Sequence, residues 1–107
     1  MTNFVLVYTG GPGMEQSEER RQEVMAEWGA WYGALGDAIV DGGNPFVASK
    51  SITSDGVSEG PVGSPPATGY TVISAESLDD AAAKAMNHPH IKHGGEVSVY
   101  ETIQVMP

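Results

Sequence analysis

The chain has 107 residues, no cysteine and a formal net charge of −9, from 14 acidic and 5 basic side chains. A chain of this length forms one domain, here residues 1–107, with a modest core that oligomerisation would help to enlarge. The acidic balance repels phosphate backbones and anionic lipid headgroups, so neither nucleic acid nor a membrane is an expected partner. Without cysteine, disulfides, thiolate metal sites and a cysteine nucleophile are excluded. No membrane-spanning stretch or signal-peptide pattern is visible, which predicts a cytoplasmic protein.

The first predicted element is a strand at residues 4–8, which are apolar at every position. A strand with one solvent-facing side would alternate apolar and polar residues, so we expect both faces of this one to be covered. Glycines and a proline at residues 10–13 then break the strand.

A helix is predicted from Ser17, an N-cap residue followed by two glutamates that complement the helix dipole. Its apolar stripe has the helical spacing of four, three and four residues. The stripe comprises Val24, Trp28, Trp31 and Leu35, widened by Met25 and Tyr32. Gly36 weakens this helix, and we expect residues 42–45 to end the unit beyond Ile39 and Val40.

The second half of the chain contains two further predicted strands, at residues 46–53 and 70–75. Residues 54–68 between them are rich in Gly, Ser and Pro, which predicts a long flexible hairpin loop rather than a lid. A second helix is expected to begin near Ser77, with an apolar face of Leu78, Ala81, Ala82, Ala85 and Met86. Residues 96–103 read as the final strand.

The resulting order, β-α-β-β-α-β, predicts an α+β fold of the ferredoxin-like type, with two helices on one face of a four-stranded antiparallel sheet. Those helices leave the other sheet face open. Because the first strand is apolar on both sides, the simplest way to bury that face is a homodimer formed sheet to sheet, a dimeric α/β barrel.

All three histidines, His88, His90 and His93, lie between the second helix and the Gly94–Gly95 pair. Polar side chains on such a connection commonly line a pocket, and imidazole titrates near neutrality, so His88 and His93 are candidate acid/base catalysts. Their spacing also suits a transition metal, but no supporting carboxylate or cysteine is present in the loop, so no metal or other cofactor is expected. The alternative is structural, because histidine also favours helix C-termini.

Aromatic residues supply candidate ligand contacts. Trp28, Trp31 and Tyr32 could stack on a flat ligand, and so could Tyr8 at the end of the first strand, although aromatic residues at helical spacing more often belong to the core. Ser51 and His90 are added as candidate hydrogen-bonding residues for such a ligand.

Several segments together resemble the YCII-related family, whose members form dimeric α+β barrels. They are residues 4–8, 35–43, 69–73, 77–82 and 88–101. Some members of that family resemble muconolactone isomerases or act on chlorinated hydroquinones, with a His–Asp pair proposed at the site. The histidine of that pair lies on the first helix, where this chain has Met25 to Trp28 and no histidine. Asp37 and Asp41 lie near the helix exit, where the resemblance implies a partner carboxylate, and Asp41 is the candidate catalytic carboxylate.

Two functions remain open from the sequence. One is a cofactor-independent enzyme that transfers protons on a small aromatic or lactone-like molecule. The other is a non-catalytic dimeric module that binds a small molecule or regulates a partner.

Overall fold

The computed structural model describes residues 1–11 and 17–105. Its elements, in chain order, are β1 (Thr2–Gly10), α1 (Glu18–Leu35), a 3-10 turn (Gly36–Ala38), β2 (Ile39–Asp41), β3 (Lys50–Thr53), β4 (Gly56–Glu59), β5 (Ala67–Ala75), α2 (Leu78–Ala85), α3 (Pro89–Lys92) and β6 (Gly95–Glu101). Within the described ranges, no helix is both long enough and apolar enough to cross a membrane.

The main sheet has four antiparallel strands in the order β2-β5-β1-β6. The two nine-residue strands β1 and β5 lie at its centre, and the short strand β2 forms one edge. Helices cover one face, on which Phe4, Leu6 and Ile73 pack against Trp31 and Ala81. The predicted α+β, ferredoxin-like architecture is confirmed.

Both predicted helix starts are confirmed by their caps. The Ser17 hydroxyl accepts a hydrogen bond from the Arg20 N–H at 3.1 Å, and the Ser77 hydroxyl accepts one from the Asp80 N–H at 3.0 Å. Each bond satisfies a backbone donor that the first helical turn leaves without an internal partner.

The predicted apolar faces of the helices are wrong in part. Met25, Leu78 and Met86 were expected to face the core, but they are exposed by 70%, 44% and 73%. Fewer residues of the two helices face the core than the hydrophobic pattern predicts. Trp31 of α1 contacts α2, because its indole N–H donates to the Lys84 carbonyl at 3.2 Å. The small buried alanines of α2 let that helix lie close to the sheet.

The predicted position of the second sheet strand is wrong. The strand that pairs with β5 is Ile39–Asp41, which directly follows the 3-10 turn at the end of α1. Of the predicted strand at residues 46–53, only Lys50–Thr53 is a strand, and it pairs with β4 instead of the main sheet. The predicted loop at residues 54–68 therefore contains β4, joined to β3 by a tight turn at Ser54 and Asp55.

None of the helices in the described part of the chain covers the second face of the main sheet. Val5 and Val7 of β1 point to this face, opposite Val72 and Tyr70 of β5, and they are partly exposed, whereas Leu6 is in the core. The described residues therefore cover one face of β1, and burial of the other face by a second copy stays a prediction.

Candidate functional site

The three histidines lie on and beside α3, a single helical turn. His88 is the N-cap of this turn, and its Nδ1 accepts a hydrogen bond from the His90 backbone N–H at 2.9 Å. Pro89 occupies the first position, where the missing N–H costs nothing because it would have no helical partner. The His93 backbone N–H closes the turn by donating to the Pro89 carbonyl at 3.1 Å.

His88 is buried among aromatic rings, with only 1% of its surface exposed. Its ring centroid lies 4.3 Å from that of Trp28, 4.4 Å from that of Trp31 and 4.7 Å from that of Tyr8. Burial, together with a smaller contribution from nearby His90, lowers the pKa of His88 to about 4. The imidazole is therefore uncharged at neutral pH, because the apolar surroundings disfavour the cation.

The hydrogen bond at Nδ1 determines the tautomer of His88. A nitrogen that accepts from the His90 N–H carries no proton, so the proton of the neutral ring resides on Nε2. Nε2 is buried and has no hydrogen-bond partner among the described residues. An unsatisfied buried donor costs about 1–3 kcal/mol, so this N–H is a strong point of attachment for an oxygen acceptor.

His90 attaches the turn to β1. Its Nε2–H donates to the Thr9 carbonyl at 2.8 Å, which leaves Nδ1 unprotonated in the neutral ring. The imidazole lies over Gly95, where any Cβ would collide with the ring, and Gly11 is also in close approach. These glycines are needed for space at the end of β1 and the start of β6.

His93 attaches the turn to α1. Its Nε2–H donates to Glu27 Oε1 at 3.1 Å, and its Nδ1 accepts from Arg20 Nη2 at 2.9 Å. The Lys92 ammonium pairs with the second oxygen of Glu27, also at 3.1 Å. Hydrogen bonds from Lys92 and, second, from His93 hold the pKa of the Glu27 carboxyl below its usual value.

A chain of hydroxyl groups continues from Tyr8 to the loop after β2. Tyr8 donates to Thr71 Oγ1 at 2.6 Å, and Thr71 donates to the Gly42 carbonyl at 3.1 Å. The Tyr32 hydroxyl donates to the same carbonyl at 2.8 Å. Burial raises the pKa of Tyr8 well above its ordinary value, against the opposing effect of the bond to Thr71, so the phenol stays protonated.

The structure brings five of the predicted site residues together: Tyr8, Trp28, Trp31, His88 and His90. It places the other three elsewhere. His93 is bound to α1, as described above. Asp41 is exposed, and its carboxylate accepts from the Gly43 N–H at 2.8 Å. Ser51 lies on β3 and donates to the Gly60 carbonyl at 2.7 Å.

Sequence reasoning missed Glu27 and Thr71. Glu27 lies next to Trp28 in a helix rich in glutamate, so nothing in the pattern separates it from a solvated surface residue. Thr71 had a usable signal, because it is a hydroxyl residue within an otherwise apolar central strand. Such a buried hydroxyl needs a hydrogen-bond partner, and here it finds Tyr8 and Gly42.

No described group of three or more His, Asp or Glu side chains is arranged to hold a metal ion. A groove of about 590 Å³ lies elsewhere, at the base of the β3–β4 hairpin. It is lined by Phe46, Val47, Ala48, Ser49, Pro61, Pro66, Ala67 and Thr68.

Comparison with known proteins gives a structural likeness. No family model and no curated protein matches the chain. Among solved structures, it is similar to 5-chloro-2-hydroxyhydroquinone dehydrochlorinase (TftG) from Burkholderia phenoliruptrix AC1100, in complex with 2,5-dihydroxybenzoquinone. The TM-score is 0.60 and the identity 21%, over 94% of this chain and 93% of the other. At this identity the likeness establishes the shared ferredoxin-like fold.

Proposed function

We propose that this protein is a small YCII-type homodimer that binds a compact, oxygen-bearing aromatic molecule at His88 and acts on it by proton transfer, without a bound cofactor. The observation that carries the proposal is the buried, unpaired Nε2–H of His88, surrounded by Tyr8, Trp28 and Trp31. A site that combines apolar walls with one fixed polar group is the usual design of a small-molecule pocket.

The tautomer of His88 defines its chemical role. A neutral imidazole that donates from Nε2 can bind a carbonyl, hydroxyl or phenolate oxygen, and it can stabilise negative charge that develops there during proton removal. It cannot take up a proton at Nε2 in this tautomer. His88 is thus proposed as the residue that binds and polarises the substrate oxygen, a narrower role than general acid/base catalysis.

A quinone or hydroxyquinone fits these requirements. Its ring is flat and suits aromatic walls, and its oxygens accept hydrogen bonds. The dehydrochlorinase with the similar fold was solved with 2,5-dihydroxybenzoquinone bound, which makes this compound the first probe. Because the ring of His88 is almost fully enclosed, we propose that the ligand enters during a transient opening of the α3 turn, which then closes again over the bound molecule.

A non-catalytic binding module is the second candidate. One observation favours it: the other two histidines are already engaged, His90 with the Thr9 carbonyl and His93 with Glu27 and Arg20. No acid or base side chain in the described part of the chain is hydrogen-bonded to the Nε2–H of His88, so the site binds an oxygen more readily than it removes a proton.

The homodimer is proposed on the uncovered face of the main sheet. Val5 and Val72 form a directly opposed pair there, and Val7 is opposite Tyr70. Tyr100 of β6 extends the same surface and is 58% exposed. An apolar sheet face of this kind is normally buried against another layer.

The binding proposal is tested by calorimetry with 2,5-dihydroxybenzoquinone. The variants His88→Asn and His88→Phe both remove the Nε2–H, while asparagine retains the N-cap acceptor and phenylalanine retains an aromatic ring. We expect each variant to bind about three- to tenfold more weakly, as loss of one neutral hydrogen bond predicts. The control Ser51→Ala, on the β3–β4 hairpin, should bind as the original protein does.

Catalysis is tested separately by chloride release from 5-chloro-2-hydroxyhydroquinone. Release that depends on His88 supports the enzyme, whereas binding without release supports the second candidate. No binding of the quinone by the unmodified protein, or equal binding by both His88 variants, would refute the proposed site.

A further inference from the structure

The α3 turn that carries His88 has little packing of its own. It contains four residues, and within it only Pro89 is buried. So short a helix has no independent stability, since isolated helices shorter than about 12 residues are marginal even in favourable sequences. The position of His88 must therefore be fixed by contacts outside the turn.

Glu27 supplies the main polar contact between this turn and α1. Its two carboxylate oxygens are divided between two neighbouring residues, Oε1 for the His93 imidazole and Oε2 for the Lys92 ammonium, each at 3.1 Å. The side chain is 28% exposed, and that of His93 only 9%. Glu27 also directly precedes Trp28, one of the rings that enclose His88, so one stretch of α1 contacts both ends of the turn.

We infer that Glu27 is a positioning residue for His88: by binding Lys92 and His93 together, it clamps the end of the α3 turn to α1 and keeps the His88 ring enclosed. The proposed function gives this clamp its purpose, because the ligand-binding N–H lies at the opposite end of the same turn. Arg20 completes the clamp by donating to the second nitrogen of His93.

If Glu27 positions His88, removal of the Glu27 carboxylate should shift the pKa of His88 in a direction that charge alone does not explain. Removal of a nearby carboxylate, considered as charge alone, disfavours a cation and would lower the pKa of His88 further. Release of the turn exposes the ring to water and raises that pKa towards its ordinary value. The direction of the shift therefore separates positioning from simple electrostatics.

The experiment is an NMR titration of the His88 imidazole, with nitrogen shifts that report its tautomer, in Glu27→Ala, Glu27→Gln and Asp80→Ala. Asp80 is a matched control, since its carboxylate also pairs with a lysine, at 2.9 Å, and its exposure of 34% is similar. In Glu27→Ala we expect the pKa of His88 to rise by at least one unit, with loss of the single Nε2–H tautomer. Glu27→Gln keeps one oxygen acceptor, so it should retain part of the contact and raise the pKa of His88 less than Glu27→Ala does. Asp80→Ala should reduce stability without changing the pKa or tautomer of His88.

Binding of 2,5-dihydroxybenzoquinone is the second measurement, and we expect about tenfold weaker affinity in Glu27→Ala. An unchanged or lowered pKa of His88 in a folded Glu27→Ala protein would overturn the inference, as would equal shifts in the Asp80→Ala control. Should Glu27→Ala fail to fold, a Glu27→Gln variant with an unaltered His88 titration would overturn it as well. Failure of the unmodified protein to bind the quinone would instead refute the proposed function and leave the clamp intact.

Discussion

The α3 turn and the β3–β4 hairpin are both short segments, but they are stabilised in opposite ways. Each histidine at the turn contacts a different part of the fold: His88 the aromatic cluster, His90 the carbonyl of β1, and His93 the side chains of α1. The hairpin strands, by contrast, pair with each other and not with the main sheet. Their apolar pair Ile52 and Val57 is exposed by 77% and 65%.

The overall shape reflects the same difference. The radius of gyration is 15.2 Å, whereas a compact chain of this length has one of about 13 Å. A protruding hairpin held by its own ladder extends the molecule, while the turn is drawn into it. In the hairpin, hydrogen bonds between neighbouring strands determine the local shape. At the α3 turn, contacts between residues distant in sequence determine where each side chain lies. A site that holds one N–H in a fixed position needs these long-range contacts.

The largest effect is expected when the α3 turn is displaced by Gly95→Ala, which tests whether contacts distant in sequence hold the turn. The new Cβ would collide with the His90 imidazole and separate it from Thr9. We expect a loss of about 3 kcal/mol or more in the free energy of unfolding, because overpacking and a broken buried bond combine. Chemical denaturation measures it. Gly33→Ala, at an α1 position with open space around it, is the control and should be neutral or stabilising. Equal effects would show that the turn is no more tightly held than a helix surface.

The uncovered sheet face, which belongs to neither segment, is tested by Val7→Asp. If two copies meet there, a buried unpaired carboxylate should weaken the dimer at least a hundredfold, a change of about 2.7 kcal/mol. Light scattering across a dilution series measures the change. Met25→Asp adds the same charge to an exposed helix position and should leave assembly unchanged. A wild-type protein that is monomeric at micromolar concentration would contradict the dimer.

Burial of His88 should also appear in the pH dependence of stability. The unfolded imidazole has an ordinary pKa of 6.5, and that of the folded one is about 4, so in this window the unfolded chain binds more protons. Stability is therefore full above pH 6.5 and falls as the pH is lowered towards 4. Between pH 7.5 and 4.5 we expect a loss of about 2.5 kcal/mol from this group. His88→Asn, which cannot titrate, should remove that part of the pH dependence, and an unaltered slope would mean that the ring is solvated.

The smallest effect is expected on the hairpin side of the comparison. Lys50 and Glu59 are paired residues, so a two-residue turn can join them in place of residues 51–58. Because the removed part buries little surface and loop closure depends weakly on length, we expect a change of less than about 1 kcal/mol. Thermal unfolding measures it. A fall in the melting temperature as large as that of Gly95→Ala would show that the hairpin packs against a second copy.

The sequence was most informative where structure is local. Ser17 and Ser77 were identified as caps because the cap bond spans three residues, and the element order led to the fold. The second sheet strand was misplaced because Ile39–Asp41 has only three residues and gains its identity by pairing with β5, more than thirty positions later. The hydrophobic stretch at Phe46 and Val47 looked more strand-like, yet these two residues lie outside any ladder strand.

The candidate site was located in part for the same reason. Clustering of the histidines pointed to the segment, but the division of their roles depends on partners that lie far away in sequence. Glu27 is 66 positions from His93, and Thr9 is 81 positions from His90. No spacing rule links such pairs, so the sequence could not show that the Nε2 of His88 is buried without a hydrogen-bond partner among the described residues.

The Gly42 carbonyl accepts hydrogen bonds from both Thr71 and Tyr32, and the Thr71 hydroxyl in turn accepts one from the Tyr8 hydroxyl. Three side chains from three elements therefore depend on one backbone oxygen near the surface. The neighbouring Gly43, at a φ of 75°, leaves no room for a Cβ against the Tyr70 carbonyl, so this short loop packs directly on the backbone of β5. Displacement of Gly42 would remove the acceptor of Thr71, which in turn accepts from Tyr8, and the Tyr8 ring lies 4.7 Å from that of His88. The surface loop after β2 is thus connected to the buried imidazole through Thr71 and Tyr8.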